Sequence, residues 1–113
     1  MIQILHNPRC SKSRSVLKYL NEQGLEVEEI RYMDQPLSAN EIRNILKKLN
    51  IKPIDWVRKN ENLFKTQFKG KQLNDDQWID ILTNNPKLIE RPVVINGDKA
   101  VIGRPLEKIL DII

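Results

Sequence analysis

The stretch "HNPRCSKSR", residues 6–14, holds the only histidine and the only cysteine of the chain. Residues 1–5 before it form a short apolar run, which is typical of a buried strand. Apolar residues at helical spacing follow it, between residues 16 and 20. The stretch is therefore the loop of a strand–loop–helix unit, and we expect Ser11 or Ser13 to cap the helix.

Helical patterns dominate the middle of the chain. They follow a strand that we predict at residues 25–32. The sequence Ser38-x-x-Glu41 is a capping box in front of an apolar helical pattern, which is a strong signal for the start of a helix. We predict short helical turns at residues 53–58 and 60–65. A further helix begins after Asn74, which is followed three residues later by a glutamine.

The last third of the chain carries a hairpin signal. Residues 93–95 and 100–102 are apolar strand candidates, and the Asn96-Gly97 dipeptide between them favours a tight turn. Pro105 is suited to the first turn of a last helix. The apolar face of that helix would consist of Leu106, Ile109, Leu110 and Ile113.

The predicted order of elements is β-α-β, a helical block, and then β-β-α. This order is the plan of a thioredoxin-like domain, which has an α/β fold with a mixed central sheet and flanking helices. We expect a parallel pair of strands joined by the helical crossover, and an antiparallel hairpin beside it. In that plan the loop after the first strand places Cys10 at the N-terminus of the first helix.

Length, charge and cysteine usage limit the class of protein. A chain of 113 residues is sufficient for one domain with its own core. One cysteine excludes an internal disulfide, and we see neither a signal peptide nor an apolar run of about 20 residues. We therefore expect a cytoplasmic protein without a membrane partner. The net charge of +4 is modest and scattered, which favours small anions over nucleic acid as partners.

Cys10 lies where a thiol can be chemically active. The first backbone N–H groups of a helix lack partners and carry partial positive charge, so they stabilise a thiolate. Neighbouring cations add to this effect, and cysteines in such places have pKa values of roughly 3.5–7.5. The same N–H groups can bind an oxyanion. The alternative is that Cys10 is a small buried apolar residue, as many single cysteines are.

His6 has three interpretations. It could tune the charge of Cys10, act as a general base, or form a hydrogen bond that holds the loop. A metal site is not expected, because one cysteine and one histidine do not supply the three or four ligands that zinc requires. Cys-His hydrolase chemistry also needs a third group to orient the imidazole, and the sequence indicates none.

These residues resemble a known family. "HNPRCSKSR" resembles the active-site loop of the ArsC family of glutaredoxin-dependent arsenate reductases, whose pattern is H-N-P-x-C followed by small residues and S-R. "WVRKN", residues 56–60, resembles the family's L-x-R-K-N segment. "LIERPVV", residues 88–94, resembles L-I-x-R-P-I-V. "GRPLEKILDII", residues 103–113, resembles the R-P-x-E…L-D segment. The four matches lie in the family's order, and the resemblance covers nearly the whole chain.

The resemblance implies a particular domain organisation. A single thioredoxin-like domain would span residues 1–113, with residues 1–35 and 87–113 as its core. Residues 36–86 would be a helical insertion between the second and third strands. Pro92 occupies the position where a cis proline commonly precedes the third strand of such domains.

The resemblance also implies the chemistry. Cys10 would be the catalytic nucleophile that attacks arsenate, and Arg58, Arg91 and Arg104 would bind this oxyanion through their planar donor forks. Glutathione would be the co-substrate and glutaredoxin the protein partner, with no bound cofactor. The residues expected to support the site are His6, Ser13, Arg14 and Pro92.

The sequence departs from the family pattern after the cysteine, and other functions stay open. Ser11-Lys12-Ser13 stands where the family often has G-T-S, so Lys12 adds charge near the anion. Spx-type regulators, which bind RNA polymerase, share the fold but usually have C-x-x-C, with Ser13 at the second position here. A monothiol glutaredoxin-like reductase would fit Cys10-x-x-Ser13 but would leave the three arginines without a purpose. The phosphatase type of arsenate reductase needs C-x5-R, and Val16 is at that position.

Overall fold

A four-stranded mixed sheet forms the centre of the thioredoxin-like fold. The computed structural model describes all residues from 1 to 113. Its strands are β1 (Ile2–Leu5), β2 (Val27–Ile30), β3 (Val93–Asn96) and β4 (Lys99–Ile102), in the spatial order β2-β1-β3-β4. β1 pairs parallel with β2 and antiparallel with β3, and β3 and β4 form an antiparallel hairpin. The predicted α/β class and mixed sheet are confirmed.

Helix α1 (Ser11–Glu22) connects the two parallel strands and packs on the sheet through Val16 and Leu20. Its N-cap residue is Cys10, in extended conformation and without a side-chain capping bond. The prediction that Ser11 or Ser13 caps this helix is therefore wrong. Ser13 lies inside the first turn, where its hydroxyl bonds to groups of the preceding loop instead of to a helix N–H.

Strand β2 is shorter than predicted. It covers residues 27–30 rather than 25–32, and it lies at an edge of the sheet with Glu28 and Glu29 exposed. The carbonyl oxygen of Arg31 accepts hydrogen bonds from the N–H groups of Asp34 and Gln35. This turn bends the chain directly after β2 and ends the strand.

The hairpin loop is displaced by one residue from the predicted turn. Asn96 is still in β3, where it pairs with Lys99, so the two-residue loop is Gly97-Asp98. Gly97 has a φ of +63°, a left-handed conformation that glycine adopts without steric cost.

The last element is a 3-10 helix, Leu106–Asp111, rather than the predicted α-helix. Three residues per turn place Leu106, Ile109 and Ile112 on one side, and these three pack against the core of the sheet. Leu110 is 51% exposed and Ile113 is 40% exposed, so they are not part of the buried face as predicted. The shorter helical period explains which residues are buried.

The chain forms two compact units. One consists of residues 1–35 and 91–113, and the other of residues 36–90. The second unit contains helices α2 (Ala39–Leu49), α3 (Asn62–Gln67) and α4 (Asp75–Asn84) and short 3-10 helices at Pro53–Trp56 and Pro86–Leu88. The assignment of residues 36–86 as an insertion into a single domain stays a prediction. No helix is both long and apolar enough to span a membrane.

Both capping boxes in the second unit are confirmed. The Ser38 hydroxyl accepts from the Glu41 N–H, and the Glu41 carboxylate accepts from the Ser38 N–H. Asn74 and Gln77 make the same reciprocal pair. Local sequence alone therefore defines the start of α2 and α4.

The 3-10 period of the last element predicts a contrast between two adjacent apolar residues. Replacing the fully buried Ile109 by alanine should lower the free energy of unfolding by about 2–5 kcal/mol. The matched variant Leu110→Ala should change it by less than about 0.5 kcal/mol, because Leu110 is largely exposed. Urea denaturation of the two variants measures both values. Similar losses in both would contradict the assigned register.

Candidate active site

Cys10 lies at the junction of the β1–α1 loop and the first turn of α1. Its N–H donates to the Asn7 carbonyl oxygen at 3.0 Å, and its carbonyl oxygen accepts the first helical bond from the Arg14 N–H at 3.0 Å. The side chain is partly exposed. The backbone N–H groups of Lys12 and Ser13 hydrogen-bond to the sulfur. The expected placement of the thiol at a helix N-terminus is therefore present in the structure.

Two of the three predicted arginines lie beside this sulfur. The Nη2 atom of Arg104 is 3.5 Å from Cys10 Sγ, and the Arg91 side chain also hydrogen-bonds to the sulfur. Arg104 is held by a second bond, from its Nε to the Arg91 carbonyl oxygen at 2.6 Å. Residues distant in sequence thus surround the thiol with planar donor groups, which suit a tetrahedral oxyanion. Their role in binding such an anion stays a prediction.

The electrostatic surroundings favour the thiolate form of Cys10. Burial is the largest single influence and raises the pKa of the thiol. The Ser13 N–H, the Arg91 guanidinium and the Lys12 N–H together outweigh burial, so the pKa lies below its ordinary value. The group therefore combines partial desolvation with stabilisation of its negative charge.

A buried polar cluster holds the loop that leads to the thiol. His6, Asn7 and Ser13 are 3%, 8% and 0% exposed. Ser13 Oγ lies 2.7 Å from His6 Nδ1 and accepts a hydrogen bond from the Asn7 N–H at 3.1 Å. With Nδ1 unprotonated, the Ser13 hydroxyl donates its own proton to His6, and all three groups are paired. This geometry matches the interpretation of His6 as the residue that bonds the loop.

The surroundings of His6 favour its neutral form. Burial lowers the pKa of His6, and the charges of Arg31 and Arg14 lower it further, whereas Glu29 raises it. The net effect is a pKa below the ordinary value of 6.5. A neutral imidazole preserves the acceptor that Ser13 needs.

The remaining residues that we expect to support the site, Arg14 and Pro92, have clear structural contacts. Arg14 donates from Nη1 to the Pro8 carbonyl oxygen at 2.9 Å and thereby ties the loop to the first turn of α1. The Arg91–Pro92 peptide bond is cis, as the resemblance implies. The Pro92 carbonyl oxygen accepts a hydrogen bond from the Gly103 N–H at 2.8 Å, next to Arg104.

Two contributors to the site were not identified from the sequence. The Asn7 side chain accepts a hydrogen bond from the Arg9 N–H at 3.0 Å, and the Asn-Pro dipeptide is a signal for such a turn. Gly103 is buried, and a Cβ atom there would lie 3.3 Å from both Pro92 Cγ and Val16 Cγ2. No local pattern marks this close approach, because the two neighbours come from distant parts of the chain.

Arg58 belongs to the unit of residues 36–90, where it has acidic partners. Its guanidinium pairs with Glu61 at 3.9 Å and with Glu90 at 3.6 Å, and its side chain is 18% exposed. Its backbone N–H donates to the Leu88 carbonyl oxygen at 2.7 Å. The predicted role of Arg58 as an anion ligand stays a prediction.

The lowered pKa of Cys10 predicts its reactivity. The alkylation rate plotted against pH should have its inflection below the unperturbed value of about 8.5. The variant Arg91→Gln should move the inflection to higher pH, because a cation beside the thiolate is lost. Lys99→Gln, which removes an exposed charge on β4, is the matched control. An inflection at 8.5 or above in the native chain would remove the case for an activated thiol.

The lowered pKa of His6 predicts how stability depends on pH. Below pH 6.5 the His6 side chain of the unfolded chain binds a proton more readily than that of the folded chain. The free energy of unfolding should therefore fall with acidification. The loss should approach about 1.4 kcal/mol per pH unit at most. The variant His6→Gln should lack this part of the pH dependence of the free energy of unfolding between pH 5 and 7. Chemical denaturation at several pH values tests it, and parallel profiles for both proteins would contradict it.

The chain is similar in sequence and fold to several bacterial proteins. The model of the ArsC family matches residues 5–112. A Haemophilus influenzae protein named arsenate reductase is 39% identical over 97% of this chain and 97% of its own length. An uncharacterised protein of Escherichia coli K12 is 40% identical over 99% of this chain and 96% of its own length. The structure of a Vibrio cholerae arsenate reductase superposes with a TM-score of 0.94, at 37% identity over 99% of this chain and 97% of that one. This chain is therefore a member of the ArsC family.

Proposed function

We propose that this protein reduces arsenate to arsenite through a bond between Cys10 and arsenic, with glutathione and glutaredoxin as the electron donors. The observation that carries the proposal is the pair of guanidinium groups beside a partly exposed thiol, with Arg104 Nη2 3.5 Å from Cys10 Sγ. Relatives named arsenate reductase match nearly the whole chain, which supports this choice of oxyanion.

Arsenate fits the charges of this site. It is a tetrahedral oxyanion with several acceptor oxygens, and arginine binds such groups with two parallel hydrogen bonds. Arginine is a cation, so Arg91 and Arg104 offset repulsion between the anion and the thiolate. The N–H groups of Lys12 and Ser13 at the start of α1 give further stabilisation to negative charge.

The first two steps form sulfur–arsenic bonds without changing the oxidation state. The Cys10 thiolate attacks arsenic, and one arsenate oxygen leaves as water after it takes up protons. The thiol of glutathione then displaces a second oxygen in the same way. The product is an arsenic(V) centre bound to two sulfurs, one from Cys10 and one from glutathione.

The redox step removes glutathione from this adduct. A glutaredoxin thiolate attacks the glutathione sulfur, which gives a mixed disulfide between glutaredoxin and glutathione. The electron pair of the broken sulfur–arsenic bond reduces arsenic from +5 to +3. Water then displaces the Cys10 sulfur, so arsenite leaves and the thiol is restored. A second glutathione reduces the mixed disulfide.

The need for an outside thiol follows from the cysteine count. Reduction of arsenate takes two electrons, and a protein with several thiols can supply both by forming an internal disulfide. This chain has one cysteine and cannot do so. Ser13 stands at the position of the second thiol of a C-x-x-C switch, and it is fully buried in the His6 cluster. This arrangement favours the reductase over an Spx-type regulator.

The lone thiol predicts a strict requirement for two components. In a coupled assay that follows NADPH oxidation with arsenate, turnover should need both glutathione and glutaredoxin, and thioredoxin with its reductase should not replace them. Cys10→Ser should abolish turnover. Arg104→Lys should reduce it at least about tenfold, because the charge stays but the fork is lost.

Two results would contradict this mechanism in different ways. Full activity with thioredoxin and without any low-molecular-weight thiol would exclude the glutathione step. No activity with any donor, from a protein whose Cys10 is alkylated normally, would instead support a regulator or a glutaredoxin-like reductase without arsenate activity. Lys99→Arg serves as the control for the Arg104 variant, since it exchanges the two cations at an exposed position on β4.

A further inference from the structure

We infer that a cavity beside the Cys10 loop binds the γ-glutamyl end of glutathione. The cavity has a volume of about 390 Å³ and is lined by Asn7, Pro8, Arg9, Met33 and Asp34. This volume lies within the range of about 300–1,000 Å³ that is usual for small-molecule sites. The inference rests on the proposed use of glutathione and names the residues that would recognise it.

Sheet topology places this cavity on the side of the loop away from the site arginines. β1 lies between β2 and β3, and the segments after β1 and β2 leave the same edge of the sheet because these strands are parallel. The cavity lies between those two segments. Arg91 lies just before β3 and Arg104 just after β4, and both hydrogen-bond to Cys10. An anion bound by these two arginines would leave Cys10 accessible from the side of the cavity, where a second reactant can approach.

Two opposite charges on the cavity wall have no partner within the protein. Arg9 and Asp34 are exposed, and neither side chain forms a hydrogen bond or an ion pair. A γ-glutamyl group carries an α-ammonium and an α-carboxylate on the same carbon. Asp34 can accept from the ammonium and Arg9 can donate to the carboxylate, which are the stronger, charge-assisted kind of hydrogen bond.

Asn7 supplies a hydrogen-bond donor to the same cavity. Its residue surface is 8% exposed, and its Oδ1 accepts from the Arg9 N–H, which fixes the orientation of the amide. The Nδ2 group forms no hydrogen bond within the protein, and it can donate to the γ-amide carbonyl of glutathione. Met33, 40% exposed on the same wall, offers apolar contact to the two methylene groups of the γ-glutamyl chain.

The cavity is adjacent in sequence to the reacting sulfur. Arg9 immediately precedes Cys10. Asn7 accepts hydrogen bonds from both residues, from the Arg9 N–H with its side chain and from the Cys10 N–H with its carbonyl oxygen. A ligand anchored by its γ-glutamyl end has its cysteine residue free to extend along the loop toward the thiol. A thiol without the γ-glutamyl group lacks these contacts and should enter less favourably.

The test uses S-methylglutathione, which cannot react with Cys10 or arsenic. Binding to the intact protein is followed by NMR titration of backbone amides without arsenate. The largest shifts should be at residues 7, 9 and 34. Asp34→Asn should weaken binding at least about tenfold, because a charge-assisted bond to the ammonium is lost. Asp98→Asn, with the same charge change in the hairpin turn, should leave the dissociation constant unchanged.

A second probe avoids any effect of substitution on folding. S-methylated glutaryl-cysteinylglycine lacks only the α-ammonium, so it should bind the native chain about tenfold more weakly than S-methylglutathione. Asp34→Asn should not weaken this probe further. Equal affinity for the two probes, equal effects of the two aspartate variants, or no shifts at residues 7, 9 and 34 would each overturn the inference. None of these measurements needs arsenate turnover. Glutathione binding at this cavity and the proposed reaction can therefore be confirmed or contradicted independently of each other.

Discussion

The hydrogen bond between the buried Ser13 hydroxyl and His6 Nδ1 is the constraint on which the site depends. Ser13 is in the first turn of α1, and His6 follows β1 directly, so the bond fixes the helix start relative to the end of the central strand. Because Ser13 also accepts from the Asn7 N–H, the loop between them has little freedom. The N–H groups of Lys12 and Ser13 are thereby held against the Cys10 sulfur.

A close approach between the chain after β4 and helix α1 completes the arrangement. Gly103 allows the chain after β4 to pass within contact of Pro92 and Val16, where a side chain would crowd both. Arg104 follows at once and reaches Cys10, while its Nε binds the Arg91 carbonyl oxygen. The order of the strands therefore brings Arg91 and Arg104 to the thiol. The close packing around Gly103 allows Arg104 to approach the sulfur. Removing either arginine would leave the thiolate partly desolvated with less compensation.

Features decided by local sequence could be predicted, and features decided by distant contacts could not. The capping boxes at Ser38 and Asn74 need only residues three apart, and both are present. The motif around Cys10 predicted that this residue lies at the start of a helix, where the structure has it. The predicted cap at Ser13 was wrong because His6 and Asn7 compete for its hydroxyl. The last helix has a 3-10 period that places Ile109 in the core, and the apolar pattern alone does not distinguish this period from that of an α-helix.

The balance of effects on Cys10 bears on its chemistry as a nucleophile. A thiol whose pKa falls very low gains thiolate but loses intrinsic nucleophilicity, so the best attacking thiol has a pKa near the ambient pH. At Cys10, burial raises the pKa while N–H groups and Arg91 lower it, and the lowering prevails. Partial burial thus limits the fall that cations at a helix start would cause alone. In the proposed reaction, the groups that stabilise the thiolate would become partners for the oxyanion once the sulfur has formed a neutral bond to it. In that reaction, one set of donors would serve both the resting thiolate and the bound anion, although its members come from the Cys10 loop and from two distant segments that the sheet brings together.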